Sequence, residues 1–217
     1  MILLLYILIA STHQAEYTLT IKKGDQYETP TLPVYQKNSE ISQIRIKLGV
    51  TGATYVVPHD ENQQRCMSSW NKLWGYSRCF GSLHHKDSDR FVFRRAQSCL
   101  KYNEQGLYVV PNCQEQDLVE IAAYAYDNSV VPYEHPDQLI RIFTTKIRTE
   151  VWYQYRLIFL ADSTIYELLN DNGDLLERQS IKHRTCYAWK NGYRLNLYFG
   201  GVCEAPVDVV ADHVEQS

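Results

Sequence analysis

The stretch Val119-Glu120-Ile121-Ala122-Ala123-Tyr124-Ala125-Tyr126 alternates between two kinds of side chain. One set is small or aliphatic (Val119, Ile121, Ala123, Ala125), and the other carries the polar and aromatic groups (Glu120, Ala122, Tyr124, Tyr126). Successive side chains of a β-strand point to opposite faces. The pattern therefore predicts a strand with one buried face and one face rich in tyrosine.

Similar segments recur from one end of the chain to the other. They are Ser42 to Leu48, Leu139 to Ile147, Val151 to Leu160 and Tyr193 to Phe199. Turn signals separate them, and the pairs Asn172-Gly173 and Asn191-Gly192 predict hairpins. Because no long helical pattern alternates with these segments, the sequence predicts an all-β fold. We expect an antiparallel jelly-roll β-sandwich.

The first residues predict the domain organisation and the compartment. Ile2 to Ala10 are apolar, and the first charge is Glu16. An apolar run of this length is too short to cross a bilayer, so residues 1–15 are predicted to be a signal peptide. A buried first strand is the alternative. Residues 16–217 then form a single secreted β-sandwich domain without a membrane span.

Composition excludes two classes of protein. With 12% aromatic residues and a net charge of -3, the chain is not a disordered one. A pI near 6.2 argues against nucleic acid as a partner. The chain has 17 Tyr but only 6 Phe and 4 Trp, which indicates a surface that contacts a polar ligand.

The near-neutral total hides two segments of opposite charge. Residues 65–101 hold eight Lys or Arg and two acids, a net charge of +6. Residues 102–140 hold seven acids and no Lys or Arg, a net charge of -7. The segments either neutralise each other on neighbouring strands or leave a charged face for a ligand.

Six cysteines form an even set, which favours disulfides in a secreted chain. Six cysteines allow fifteen pairings, and the sequence does not choose among them. Our preferred set pairs neighbours in sequence: Cys66 with Cys79, Cys99 with Cys113, and Cys186 with Cys203. No CxxC motif occurs, and the adjacent pair His84-His85 points to opposite faces of a strand. We therefore predict no metal and no other cofactor.

Two strands supply a candidate ligand-binding face. If Phe91 and Phe93 point to the core, Arg90 and Arg94 share the opposite face. The last strong strand divides in the same way, with Tyr193, Leu195, Leu197 and Phe199 opposite Arg194, Asn196 and Tyr198. Aromatic rings stack on the C–H faces of sugars, and arginine binds carboxylates in two-point geometry. The predicted binding residues are Arg90, Arg94, Tyr124, Tyr126, Arg194, Asn196 and Tyr198. The alternative is a polar face that is merely solvated.

The absence of two motifs argues against two kinds of hydrolase. There is no Glu-x-Asp-x-Glu pattern for glycoside hydrolysis and no Gly-x-Ser-x-Gly elbow of a serine hydrolase. Elimination on a uronic acid polymer needs a group that neutralises the carboxylate, a base and an acid. His84 or His85, Arg90, Asn196 and Tyr198 supply those groups.

Several motifs together resemble a known family. They are Trp70-Asn71-Lys72-Leu73-Trp74-Gly75, His84-His85-x-x-Ser88-x-Arg90-Phe91-x-Phe93-Arg94, the strand quoted first, and Gly192-Tyr193-x-Leu195-x-x-Tyr198-Phe199-Gly200-Gly201-x-x-x-Ala205-Pro206-x-Asp208. They are similar to a set of uncharacterised secreted β-sandwich proteins, many of them bacterial. Val207 stands where that family usually has His. More distantly, the arrangement resembles concanavalin A-like jelly rolls, a fold of lectins, glucanases and alginate lyases.

Three functional hypotheses follow from these patterns. The first is a secreted, lectin-like domain that binds an oligo- or polysaccharide through the predicted face. The second is a polysaccharide lyase that acts on uronate polymers at the same face. The third is a non-catalytic structural or interaction protein of an envelope or matrix.

Overall fold

Two antiparallel sheets pack face to face in this computed structural model, which describes residues 16–27, 35–36, 40–56, 69–79, 85–103, 106–186, 188–200 and 203–216. In chain order the strands are β1 (Glu16–Ile21), β2 (Tyr35–Gln36), β3 (Ile41–Leu48), β4 (Asn71–Ser77), β5 (Ser88–Arg95), β6 (Leu100–Asn103), β7 (Gly106–Val109), β8 (Leu118–Tyr126), β9 (Ile140–Ile142), β10 (Ile147–Arg148), β11 (Trp152–Phe159), β12 (Ser163–Leu169), β13 (Leu175–Lys182), β14 (Gly192–Leu195) and β15 (Val209–Gln216). The described helices are α1 (Thr51–Thr54), α2 (Pro136–Leu139) and a 3-10 turn (Gln97–Cys99).

Strand order places segments that are distant in sequence side by side. Sheet I has the order β1-β15-β3-β11-β12-β13, and sheet II has the order β10-β8-β5-β4-β14-β2 with β9 also beside β8. A separate two-stranded sheet consists of β6 and β7. This topology confirms the prediction of an antiparallel jelly-roll β-sandwich.

Alternation in the sequence explains which residues fill the core. In β3, Ile44, Ile46 and Leu48 are buried every second residue. The inward set of β8 is buried in the same way, as predicted from its alternation. Phe91 of β5 joins the sheets, because its ring centroid lies 5.1 Å from Tyr155 and 5.4 Å from Tyr166 in sheet I. Burial of these rings between the sheets is the main stabilising contribution to the fold.

Two local predictions were wrong. Residues 139–147 do not form one strand, because residues 143–146 separate the short strands β9 and β10. There the backbone N–H groups of Thr144 and Thr145 donate to the Glu177 carboxylate and not to a neighbouring strand. Asn172-Gly173 does form the predicted hairpin, between β12 and β13. Asn191-Gly192 instead connects sheet I to sheet II, since β13 and β14 belong to different sheets.

The disulfides also differ from the preferred pairing. Cys99 pairs with Cys113 as predicted, whereas Cys79 pairs with Cys186, 107 residues away. Both predicted pairings of Cys79 and Cys186 with sequence neighbours are therefore wrong. Cys203 is disulfide-bonded too. The sandwich brings the ends of β4 and β13 together, so closeness in sequence did not predict closeness in space.

Three sequence predictions fall outside the described residues: the signal peptide at residues 1–15, Cys66 and His84. In the part of the chain that is described, no helix combines the length and the apolar character of a membrane span.

A polar cluster lies between the two sheets. Asp89 has the same parity in β5 as Phe91 and therefore points inward, where it forms an ion pair with Arg78. Tyr166 reaches across from sheet I, and its hydroxyl donates a hydrogen bond of 2.9 Å to Asp89. All three side chains are almost completely buried. Since buried charges require partners, this cluster fixes how the sheets are aligned behind β5.

Two core tyrosines are expected to respond oppositely to loss of their hydroxyl groups. The Tyr155 hydroxyl has no hydrogen-bond partner among the described residues, whereas that of Tyr166 donates to a carboxylate. Tyr155→Phe should raise the free energy of unfolding by about 1 kcal/mol, and Tyr166→Phe should lower it by about 2 kcal/mol. Urea unfolding of both variants tests this expectation. Equal losses in both would contradict it.

Candidate functional site

Arg90 lies at the centre of the outer face of sheet II, the face turned away from sheet I. It is paired in register with Tyr124 of β8 and with Gly75 of β4. Its neighbour Phe91 points into the core, so the predicted division of β5 into two faces is confirmed. Arg90 is nevertheless only 5% exposed.

Gly75 makes room for the Arg90 side chain. A Cβ atom at Gly75 would lie 2.6 Å from Cα and 2.9 Å from Cγ of Arg90, and 2.1 Å from the carbonyl oxygen of Asp89. Any larger residue would push β5 away. Gly75 of the Trp-Asn-Lys-Leu-Trp-Gly motif is therefore needed for the close approach of these two strands.

Lys72 is the second buried cation on this face. It is paired with Val92, and its ammonium group lies 5.4 Å from the Tyr124 ring centroid and 5.8 Å from that of Tyr198. It donates a hydrogen bond of 3.1 Å to the carbonyl of Trp70. We call this part of the outer face the cation face and define it by Lys72, Arg90, Tyr124, Tyr126, Tyr193 and Tyr198.

The charges of the cation face are not compensated. Among the described residues, no carboxylate forms an ion pair with Lys72 or Arg90, and Nε of Arg90 has no hydrogen-bond partner. Burial, reinforced by Arg90, lowers the pKa of Lys72 to about 8, and burial also lowers the pKa of Arg90. Holding two like charges in a partly dry site destabilises the fold by several kcal/mol. Such a site is typical of one that binds an anion.

Four tyrosines surround Arg90 closely enough to interact with it electrostatically: Tyr124, Tyr126, Tyr193 and Tyr198. Burial raises the pKa of Tyr124 and of Tyr198, so both keep their protons at neutral pH. The Tyr198 hydroxyl donates to Gln26 at 3.1 Å. Protonated hydroxyl groups beside two cations are suited to donate hydrogen bonds to an anionic or strongly polar ligand.

His85 lies beside the cation face. Its ring is 5.8 Å from the Tyr126 ring in an edge-to-face arrangement. Burial, with further contributions from Arg90 and Lys72, lowers the pKa of His85 below its usual 6.5. The imidazole is therefore neutral at pH 7, which is the form that can accept a proton.

Arg94 shares the outer face but is already paired. Its guanidinium group forms an ion pair of 2.9 Å with Glu120 and lies 4.1 Å from the Trp70 ring centroid. Glu120 also accepts a hydrogen bond of 3.0 Å from the backbone N–H of Gln97. The carboxylate on this part of the sheet is therefore engaged, and Arg94 is less available to a ligand than Arg90.

The structure turns one predicted binding residue, Arg194, away from the others. Arg194 is paired with Tyr76, a core residue, and therefore points between the sheets. There burial, together with Arg194, lowers the pKa of His213 in sheet I to about 4. Asn196 lies in the irregular segment between the end of β14 and the bridge at Tyr198, where the alternation is lost.

Tyr193 and Lys72 belong to the cation face although sequence reasoning did not place them there. Tyr193 was predicted to point to the core, but Leu195 is paired with Gly75 on the outer face, and Tyr193 has the same parity. A register shift between Lys72 and Trp74 interrupts the alternation in β4. The sequence signal for Lys72 was its place in the Trp-Asn-Lys-Leu-Trp-Gly motif.

The ion pairs show how far the two charged segments neutralise each other. One described ion pair, Arg94 with Glu120, joins the basic to the acidic segment. Other acids of residues 102–140 pair elsewhere, as Glu115 does with Lys146 and Asp117 with Arg148. Neutralisation between the segments is therefore incomplete, and two cations are left on the outer face.

The comparison with known proteins identifies no family, but it finds solved structures with a similar fold. No protein-family model matches the chain, and no curated protein matches it. Alginate lyase vAL-1 from a Chlorella virus is 13% identical, with 91% of this chain and 81% of that chain covered and a TM-score of 0.42. Laminarinase from Flavobacterium sp. UMI-01 is 12% identical, with coverage of 93% and 79% and a TM-score of 0.41. A lichenase from a mouse hindgut metagenome is 9% identical, with coverage of 92% and 78% and a TM-score of 0.41.

Metal-binding chemistry has no candidate in the described ranges, where no group of three or more His, Cys, Asp or Glu could hold an ion. The cation face presents two cations and phenolic hydroxyls, and the neutral imidazole of His85 lies beside it.

Proposed function

We propose that the protein is a polysaccharide lyase that acts on uronate polymers at the cation face. One observation carries this proposal: Lys72 and Arg90 are buried side by side, without a carboxylate partner among the described residues, and are surrounded by tyrosines. A uronate carboxylate would supply the missing negative charge. The disulfides support a location in an oxidising compartment outside the cell.

The residues present can carry a β-elimination. Arg90 and Lys72 hold the uronate carboxylate and stabilise the charge that develops when the adjacent carbon loses its proton. Neutral His85 accepts that proton. The electron pair of the broken C–H bond forms a C=C bond to the next carbon, and the bond from that carbon to the glycosidic oxygen breaks. Tyr198, whose hydroxyl exchanges Gln26 for the glycosidic oxygen as its hydrogen-bond acceptor, gives its proton to the leaving oxygen. One fragment ends in an unsaturated uronate, the other carries a hydroxyl group, and solvent restores both side chains.

The same face argues against glycoside hydrolysis. That reaction needs two carboxyl groups flanking the scissile bond. On the described strands of this face the acid is Glu120, and it is held by Arg94 and the Gln97 backbone. A second acid is missing from the described part of the face. Elimination is therefore the cleavage chemistry that these side chains favour.

We expect the ultraviolet absorbance of unsaturated uronates to rise during incubation with alginate, pectin or glucuronan. The rate should fall at acidic pH, below 6.5, because His85 then gains a proton and can no longer act as the base. It should also fall at alkaline pH, because Lys72, with a pKa of about 8, then loses its proton. Lys72→Arg should extend activity to higher pH, because arginine stays charged. Stopped absorbance assays over pH 4 to 10 measure this profile.

Matched variants test the assigned roles. His85→Gln and Tyr198→Phe should each lower the rate by about 100-fold or more, in the range expected for lost acid–base catalysis. Tyr108→Phe is the control, because Tyr108 is an exposed tyrosine of the small β6–β7 sheet. Full activity of both test variants, or no absorbance rise with any uronate polymer, would refute the lyase proposal.

A second candidate is a lectin-like protein that binds the same polymers without cleaving them. Burial raises the pKa of Tyr198, which makes its hydroxyl a weaker acid and favours hydrogen bonding to a ligand over proton transfer. Calorimetric binding of uronate polymers with no absorbance change would support this candidate.

A further inference from the structure

An open pocket of about 360 Å³ adjoins the cation face. Its lining residues are His85, Lys86, Tyr126, Ser129, Val131 and Tyr133. Tyr126 belongs to both places, because it lines the pocket and also interacts with Arg90. The pocket therefore continues the cation face and is not an isolated depression.

The pocket presents the groups that an acidic sugar requires. Tyr133 is 71% exposed, more than any other large hydrophobic residue in the described part of the chain, and its ring is available for stacking. Lys86, also exposed, adds a positive charge at the rim. An aromatic ring beside a cation fits the apolar face and the carboxylate of a single uronate unit.

The walls of the pocket are held in place by hydrogen bonds. The backbone N–H of Ser129 donates to the carbonyl of Lys86 at 2.9 Å, and that of Asn128 donates to the Asp87 carboxylate at 3.0 Å. Asp87 in turn forms an ion pair of 2.8 Å with Arg184, close to the Cys79–Cys186 disulfide. Because the two segments are tied together, little ordering entropy is lost when a ligand binds.

The spacing along β8 relates the pocket to Arg90. Tyr124 is paired with Arg90, and Tyr126 lies two residues further along the strand, which is about 7 Å. Tyr126 therefore lies within one to two sugar units of Arg90. A polymer whose carboxylate sits at Arg90 would place its next unit at Tyr126 and Tyr133.

We propose that this pocket is a second subsite, which binds the uronate unit adjacent to the one held by Lys72 and Arg90. The inference rests on the proposed recognition of uronates at the cation face. It adds that the protein recognises a chain of acidic sugars, with Tyr133 as the stacking platform and Lys86 as the cation of the second subsite.

Calorimetry with mannuronic acid and with its tetramer, a fragment of alginate, tests the subsite in a Tyr198→Phe background, whose slow turnover leaves the tetramer intact during the titration. We expect the tetramer to bind at least 10-fold more tightly than the monomer. Adding Tyr133→Ala should lower tetramer affinity by 5- to 30-fold and leave monomer affinity unchanged. Tyr17→Ala is the matched control, since Tyr17 is an exposed tyrosine on β1 of sheet I.

Separate outcomes distinguish the two proposals. Equal affinity for monomer and tetramer, or an unchanged tetramer affinity in the Tyr133 variant, would overturn the second subsite while recognition of uronates stands. If neither sugar binds, recognition of uronates is itself overturned, and the subsite with it.

Discussion

Replacing Arg90 by methionine is expected to lower the affinity for uronate polymers by at least 100-fold without lowering stability. The loss corresponds to about 3 kcal/mol, within the range for removing one partner of a buried charge pair. Stability should be unchanged or higher, because Arg90 is buried without a carboxylate partner in the described part of the chain. Opposite effects on binding and stability are the signature of a residue kept for a ligand.

Calorimetry with alginate and thermal unfolding of the same samples measure the two effects. Arg148→Met is the control, because it removes one positive charge from an exposed ion pair with Asp117. It should leave both affinity and melting temperature nearly unchanged. A melting temperature that falls by many degrees in the Arg90 variant would show that the arginine is structural, and the ligand-binding role would then be wrong.

Asp89→Asn should lower the free energy of unfolding by 3 to 5 kcal/mol. The substitution leaves Arg78 as an uncompensated charge between the sheets and weakens the hydrogen bond from Tyr166. Asp117→Asn is the matched control, since the same change at an exposed ion pair with Arg148 should cost no more than about 1 kcal/mol. Urea unfolding measures both.

Function should fall together with stability in the Asp89 variant. Asp89 is adjacent to Arg90 in β5 and accepts a hydrogen bond from the Tyr166 hydroxyl. The same hydroxyl lies 3.4 Å from the carbonyl oxygen of Tyr124. The cluster therefore supports the backbone beneath the pair Arg90 and Tyr124. An Asp89 variant as stable as the parent would contradict the assignment of this cluster as the structural base of the site.

Alternation predicted well the strands whose two faces differ in polarity. In β8 the small and aliphatic residues point inward and the tyrosines outward, as the pattern indicates. Alternation failed for β14, where Tyr193 and Leu195 look like core residues but lie on the outer face. The outer face has its own apolar cluster around Val92 and Tyr124. Apolar residues can therefore be buried on that face as well as in the core.

The sequence could not predict the Cys79–Cys186 disulfide, for a different reason. Proximity in a sandwich depends on which strands are neighbours in each sheet, and β4 and β13 end near each other although they are far apart in sequence. Local spacing carries no information about such contacts. It did predict the bridge of Cys99 with Cys113, which closes the hairpin of β6 and β7.

The sequence by itself determined the all-β class, the inward residues of β3, β5 and β8, and the outward position of Arg90, because these depend on a two-residue period alone. Only the tertiary structure decided which charges meet. The packing of β4 against β5 at Gly75 brings Lys72 beside Arg90, while Glu120 is held by Arg94 and Arg194 turns toward His213. Whether a charge is paired depends on contacts between strands distant in sequence, and so the uncompensated pair of cations is a property of the fold.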